Sequence, residues 1–181
     1  MGRRDGVASV QDILGEAGLS TRAFYRHFPS KDELVLTMYR TASEREAAGL
    51  EADLVAANGP VEAFTAFVHR HLAVAYEPRR ARQTSVLISL DARSAAGFDP
   101  VDQEARAVRR TMLAGVIGEG MRHGVFPGAT DPDADARAVL GAIGAVVDAK
   151  ITGQQVPSWD DAAAHITRLF LRAFEADTPS C

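Results

Sequence analysis

One short stretch of the chain gathers Thr21, Arg22, Tyr25, Arg26 and His27, with Lys31 just beyond it and Ser9 upstream. On a helix, positions 21, 22, 25 and 26 share one side. Hydrogen-bond donors and cations of this kind contact phosphate oxygens and base edges. An arginine fork matches the two acceptors of guanine in the major groove, which singles out Arg22 as the base reader. The chemistry these residues offer is therefore recognition of nucleic acid, not catalysis.

Other patterns carry less. Asp131, Asp133 and Asp135 have the first three ligand spacings of a calcium loop, but Ala136 and Ala142 stand where glycine and glutamate are required. Helix capping is the better reading of that run. The glycines from Gly118 to Gly124 have the wrong spacing for a dinucleotide fingerprint, and no strand precedes them. His69 and His71 lie two apart on a helix, so they point different ways and cannot chelate together. For His71, a place in a pocket and a place on the surface both stay open. There is no nucleophile elbow, no zinc-protease motif and no phosphate loop, so no enzyme activity, cofactor or metal is expected. The lone cysteine, Cys181, has no partner for a disulfide, and the expected compartment is a reducing cytoplasm. No apolar run is long enough to cross a bilayer, and no membrane partner is expected.

The elements that must position these residues read as helices throughout. Alanine is abundant, and the alternating pattern of strands is missing. Ser9 caps a helix from about Val10 to Ala17, stopped by Gly18. Ser20 caps a second, from Thr21 to about His27, and Pro29 breaks the chain. Gly18-Leu19-Ser20 is thus a three-residue turn between two short helices, the arrangement of a helix-turn-helix. Val10, Ile13, Leu14, Ala17, Leu19, Phe24 and Phe28 would form its core. Ser30 caps a long third helix running to about Ala56, where Asn58-Gly59-Pro60 ends it. Further helices are expected at Val61–Tyr76, Ala81–Ala95, Val101–His123, Asp133–Thr152 and Asp160–Glu175. Gly97-Phe98-Asp99-Pro100 and Gly124–Pro132 are expected to be loops. The net charge is −4. Residues 1–31 nonetheless hold Arg3, Arg4, Arg22, Arg26 and Lys31 against only Asp5, Asp12 and Glu16, so a basic end sits on an acidic body.

Residues 19–34, Leu-Ser-Thr-Arg-Ala-Phe-Tyr-Arg-His-Phe-Pro-Ser-Lys-Asp-Glu-Leu, resemble the recognition segment of TetR-family regulators. The resemblance implies an all-α protein of two domains: a helix-turn-helix reader over residues 1–40, and a helical effector-binding and dimerisation domain over residues 41–181. It implies that Ser9 and Lys31 anchor phosphates at helix N-termini, that Tyr25 and His27 contact the DNA backbone, and that Thr21, Arg22 and Arg26 reach into the major groove. The family has a bracing helix before the position of Ser9, where this sequence has eight residues. Either the start of this sequence lies after that helix, or the reader lacks its first helix. The function expected is a transcription regulator, a repressor released by a small organic effector. The alternative is a helical ligand-binding protein that has lost DNA binding with that first helix.

Large apolar side chains in the middle helices suggest the effector pocket: Phe64, Phe67, Tyr76, Leu87, Leu90, Met112 and Val116, with His71 and Arg109 as polar partners. Small residues on the penultimate helix, Ala138, Gly141, Ala142 and Ala145, allow close approach of a second copy. Trp159, Leu169, Phe170 and Phe174 would complete a homodimer interface. A two-fold dimer places two readers about one DNA turn apart and calls for a palindromic double-stranded operator.

Overall fold

The computed structural model describes residues 28, 30–78, 80–81 and 93–176, with only the backbone of Lys31. The expected helices at 10–17 and 21–27, and most of the one at 81–95, lie outside the described residues. The regular structure that is described is helical and carries five long helices: α1 (Lys31–Ala56), α2 (Pro60–Tyr76), α3 (Phe98–Arg122), α4 (Pro132–Ile151) and α5 (Trp159–Ala173).

Local chemistry sets their ends. Ser30 takes an extended conformation and its Oγ accepts the Glu33 N–H at 3.1 Å, with Asp32 and Glu33 in the positive first turn. α1 stops at Ala57. Gly59, at φ 112°, turns the chain into Pro60 at the start of α2, and the Glu62 carboxylate accepts the Asn58 backbone N–H at 2.9 Å across that turn. Asp131 caps α4, its Oδ1 accepting from the N–H groups of Asp133 and Ala134. The aspartate run at 131–135 thus begins a helix. Ser158 caps α5 through the Asp161 N–H at 3.2 Å.

The stretch 97–100 is the departure. The sequence suggests a loop there, yet α3 begins at Phe98, directly after Gly97 in the left-handed region. Pro100 falls in the first turn, where its missing N–H costs no helical hydrogen bond. The helix start is fixed by packing: the buried Phe98 ring meets Tyr39 edge-on at 4.9 Å.

α2 lies at the centre, packed on all four other helices, and α3 and α4 pack on each other. Phe64, Phe67, Val68 and Leu72 of α2 are wholly buried, joined by Leu113, Ile117, Val139 and Ile143. Phe64, Phe126 and Phe174 form a triangle with centroids 5.5–6.3 Å apart. A smaller cluster, Leu36, Tyr39, Ala95, Phe98, Val101 and Ala105, joins the start of α1 to the start of α3. Among the described residues, no helix is long and apolar enough to cross a membrane.

Candidate effector cavity

Helices α1 to α4, with Arg80 and Arg93 beside them, line a half-open cavity of about 320 Å³. α1 contributes Tyr39, Ala42, Ser43 and Glu46, α2 contributes His71 and Val74, α3 contributes Asp102, Arg106 and Arg109, and α4 contributes Leu140, Gly144, Val147 and Asp148. Each residue faces inward by helical spacing, as with Tyr39, Ser43 and Glu46 along α1. The wall combines an apolar side, from Val74, Leu140 and Val147, with a polar one.

The polar side is an ordered network. The Tyr39 hydroxyl donates to Asp102 Oδ1 at 2.5 Å, and Arg106 Nε donates to Asp102 Oδ2 at 2.7 Å. Burial alone would raise the Asp102 carboxyl, but those two hydrogen bonds outweigh it and hold the group below the usual range. Tyr39 is pushed upward, by burial first and by the Asp102 carboxylate beside it. Arg80 binds Glu46 at 3.2 Å and Glu77 at 2.8 Å. Burial raises the Glu46 carboxyl in spite of Arg80. His71 stacks flat on Phe67, with centroids at 5.5 Å and an interplanar angle of 7°. The residue is half-buried, and its Nδ1 is sealed from solvent and has no hydrogen-bond partner. Burial, helped by the Arg109 charge, drives its pKa down to about 3, so the imidazole is neutral.

Of the pocket residues expected from sequence, the structure brings His71 and Arg109 together in this cavity. It places Phe64 and Phe67 in the fully buried core. Met112 and Val116 line a separate, open groove between α1 and α3, with Leu54, Val55 and Val108. Tyr76 lies elsewhere, its hydroxyl donating to the Pro157 carbonyl at 2.9 Å and its ring beneath the Lys150 ammonium. Leu87 and Leu90 lie outside the described residues. So do Ser9, Thr21, Arg22, Tyr25, Arg26 and His27. Lys31 opens α1.

Of the residues suggested for dimerisation, Ala138, Gly141 and Ala145 are exposed along one stripe of α4, and Ala142 is half-buried beside it. Leu169 is 52% exposed on α5. Trp159 and Phe170 are partly buried against the core, and Phe174 is inside it. The Trp159 indole N–H donates to the His69 carbonyl at 3.0 Å, and its ring stacks on the His69 imidazole at 4.4 Å.

Sequence reasoning missed Tyr39, Glu46, Asp102 and Arg106. Tyr39 and Asp102 are 63 residues apart, and no local motif marks either one. Their only signal is polarity at helix positions that the apolar pattern leaves free.

Residues 6–38 match the model of the family described as bacterial regulatory proteins, tetR family. No match to the chain was found among curated proteins. Among solved structures, the chain is similar to the TetR-family transcriptional regulator PfmR from Thermus thermophilus, at 24% identity and a TM-score of 0.72, covering 91% of this chain and 87% of that one. It is similar to the transcriptional regulator FadR from Bacillus subtilis, solved in complex with stearoyl-CoA, at 16% identity and a TM-score of 0.78, covering 91% and 88%. A tetR-family regulatory protein from Rhodococcus RHA1 matches at 18% identity and a TM-score of 0.66, covering 93% and 86%.

Proposed function

We propose, from a chain with the fold of TetR-family regulators and a match to that family's model over residues 6–38, that this protein is a DNA-binding transcription regulator, a repressor released when a small organic effector enters the α1–α4 cavity. The observation that carries the reading is the matched segment itself. It contains Thr21, Arg22, Tyr25, Arg26, His27 and Lys31, and it runs into α1. α1 then continues unbroken to Ala56 and supplies Tyr39, Ser43 and Glu46 to the cavity wall. One rigid helix therefore connects the reader to the sensor.

The Bacillus subtilis FadR structure holds stearoyl-CoA, which supports an effector role for a cavity in this fold. An effector releases the operator only if it binds one arrangement of the two readers more tightly than the other. The exposed small-residue stripe of α4, with Leu169 of α5, would pair two copies about a two-fold axis and set the two readers on a palindromic operator.

A gel shift with the promoter DNA of the protein's own gene, at two salt concentrations, tests the reading. Binding should weaken steeply as salt rises, because phosphate contacts release counterions. Arg22→Ala should cost about 1–3 kcal/mol of operator affinity if the fork reads a guanine, and Tyr25→Ala should weaken binding as well. Wild-type affinity in both variants would remove the assignment. No shift at low salt would leave a helical ligand-binding protein.

A further inference from the structure

We propose that the α1–α4 cavity takes a compact organic carboxylate, its anionic group held by the Arg109 guanidinium and a hydrogen-bond donor on its apolar body received by His71 and Glu46. This rests on the effector reading above and specifies the ligand.

Among the described residues, the half-buried charges in the wall are matched except for one, while Arg93 and Asp148, which also line it, are exposed. Arg80 is held by Glu46 and Glu77, and Arg106 by Asp102, which also accepts from Tyr39. Arg109 is half-buried and has no carboxylate at ion-pair distance among the described residues. Its charge nevertheless reaches Tyr39, Glu46 and Asp102, and helps keep His71 neutral. A half-buried cation with no carboxylate at ion-pair distance attracts an anion, and a guanidinium presents a fork that fits a carboxylate.

Two further atoms of the lining residues want a partner. His71 Nδ1 and Glu46 Oε1 are both buried, and neither makes a hydrogen bond. Neutral imidazole protonated on Nε2 offers Nδ1 as an acceptor, and the free carboxylate oxygen is an acceptor too. A hydroxyl or N–H on the ligand would satisfy one or both once a small shift of the wall exposes them. Val74, Leu140 and Val147 provide the apolar surface for its body. The volume, about 320 Å³, lies at the small end for ligand sites and suits a compact acid better than a long chain.

The test is calorimetric titration of the full chain with matched acids and amides: benzoate and benzamide, 4-hydroxybenzoate and 4-hydroxybenzamide, indole-3-acetate and indole-3-acetamide. At least one acid should bind tenfold or more tightly than its amide, with the hydroxylated benzoate ahead of the plain one. Arg109→Gln should erase the preference for the acid while amide binding persists. Arg109→Lys, which keeps the charge and the aliphatic stem, should retain part of it and serves as the folding control alongside circular dichroism. Acids and amides binding equally, with both lost in Leu140→Trp, would overturn carboxylate recognition and leave the effector cavity standing. No binding of either class would overturn both. Unchanged acid affinity in folded Arg109→Gln would overturn the role of Arg109.

Discussion

His71 is kept neutral by its burial and by the Arg109 charge, with a pKa of about 3 against an ordinary value of 6.5. Between those two values the unfolded chain binds a proton that the folded chain refuses. Stability therefore rises with pH across that window and falls as the solution is acidified from about 6.5 towards 3. Its slope from this group is at most about 1.4 kcal/mol per pH unit. His71→Gln should flatten the acid limb of a urea-denaturation series without steepening the limb above pH 7. An unchanged acid limb would mean that the ring is solvated or already charged. The sequence places His71 on a helix two positions from His69, but it does not say which of the two turns inward. That depended on Phe67, whose ring lies flat beneath the His71 imidazole, and on Arg109 arriving from α3.

The capped helix starts at Ser30 and Asp131 were legible from sequence, whereas the Ser158 cap was not read. Ser30, Asp131 and Ser158 each accept the backbone N–H groups that a helix start leaves unpaired. Asp131→Ala should cost about 1 kcal/mol in denaturant unfolding, since two N–H groups lose their acceptor; no measurable loss would show that water replaces the cap. The start of α3 was not legible, because Phe98 is recruited by Tyr39, a residue on another helix. The end of α3 near His123 was legible, but the packing beside it was not. Gly120 sits under the Phe126 ring, and a Cβ there would lie 2.1 Å from a ring carbon. Phe126 is fully buried against Phe64 and Phe174, so the ring has little room to yield. Gly120→Ala should destabilise by about 1–3 kcal/mol through overpacking, even though alanine is the better helix former. A more stable variant in thermal unfolding would contradict the packing. From sequence alone, that glycine reads only as a weak point near a helix end.

At the scale of the whole molecule, the all-helical architecture and the long connecting helix were plain from periodicity and breaks, whereas the cavity was not. Its wall draws on four helices, and the residues that line it are spread from Tyr39 to Asp148. Apolar periodicity marks what is buried but cannot separate a core residue such as Phe64 from a pocket residue such as Val74. The outer face of α4 presents the opposite case, because its pattern is local. Ala138, Gly141 and Ala145 recur at helical spacing and stay exposed, and a Cβ added at Gly141 meets nothing within 4 Å. Within one protomer, Gly141→Ala should therefore stabilise the helix by about 1 kcal/mol. If a second copy packs closely against this stripe, the added methyl group meets the partner helix and the same substitution loosens the pair. Protomer stability and dimer affinity should then move in opposite directions, a combination that a solvent-facing stripe would not produce. Ala138→Glu with Ala145→Glu places two charges on the face and should give a folded monomer by light scattering at micromolar concentration, with operator affinity reduced at least tenfold because the two readers are no longer joined. A wild-type chain that is already monomeric at that concentration would refute the pairing and, with it, the palindromic operator.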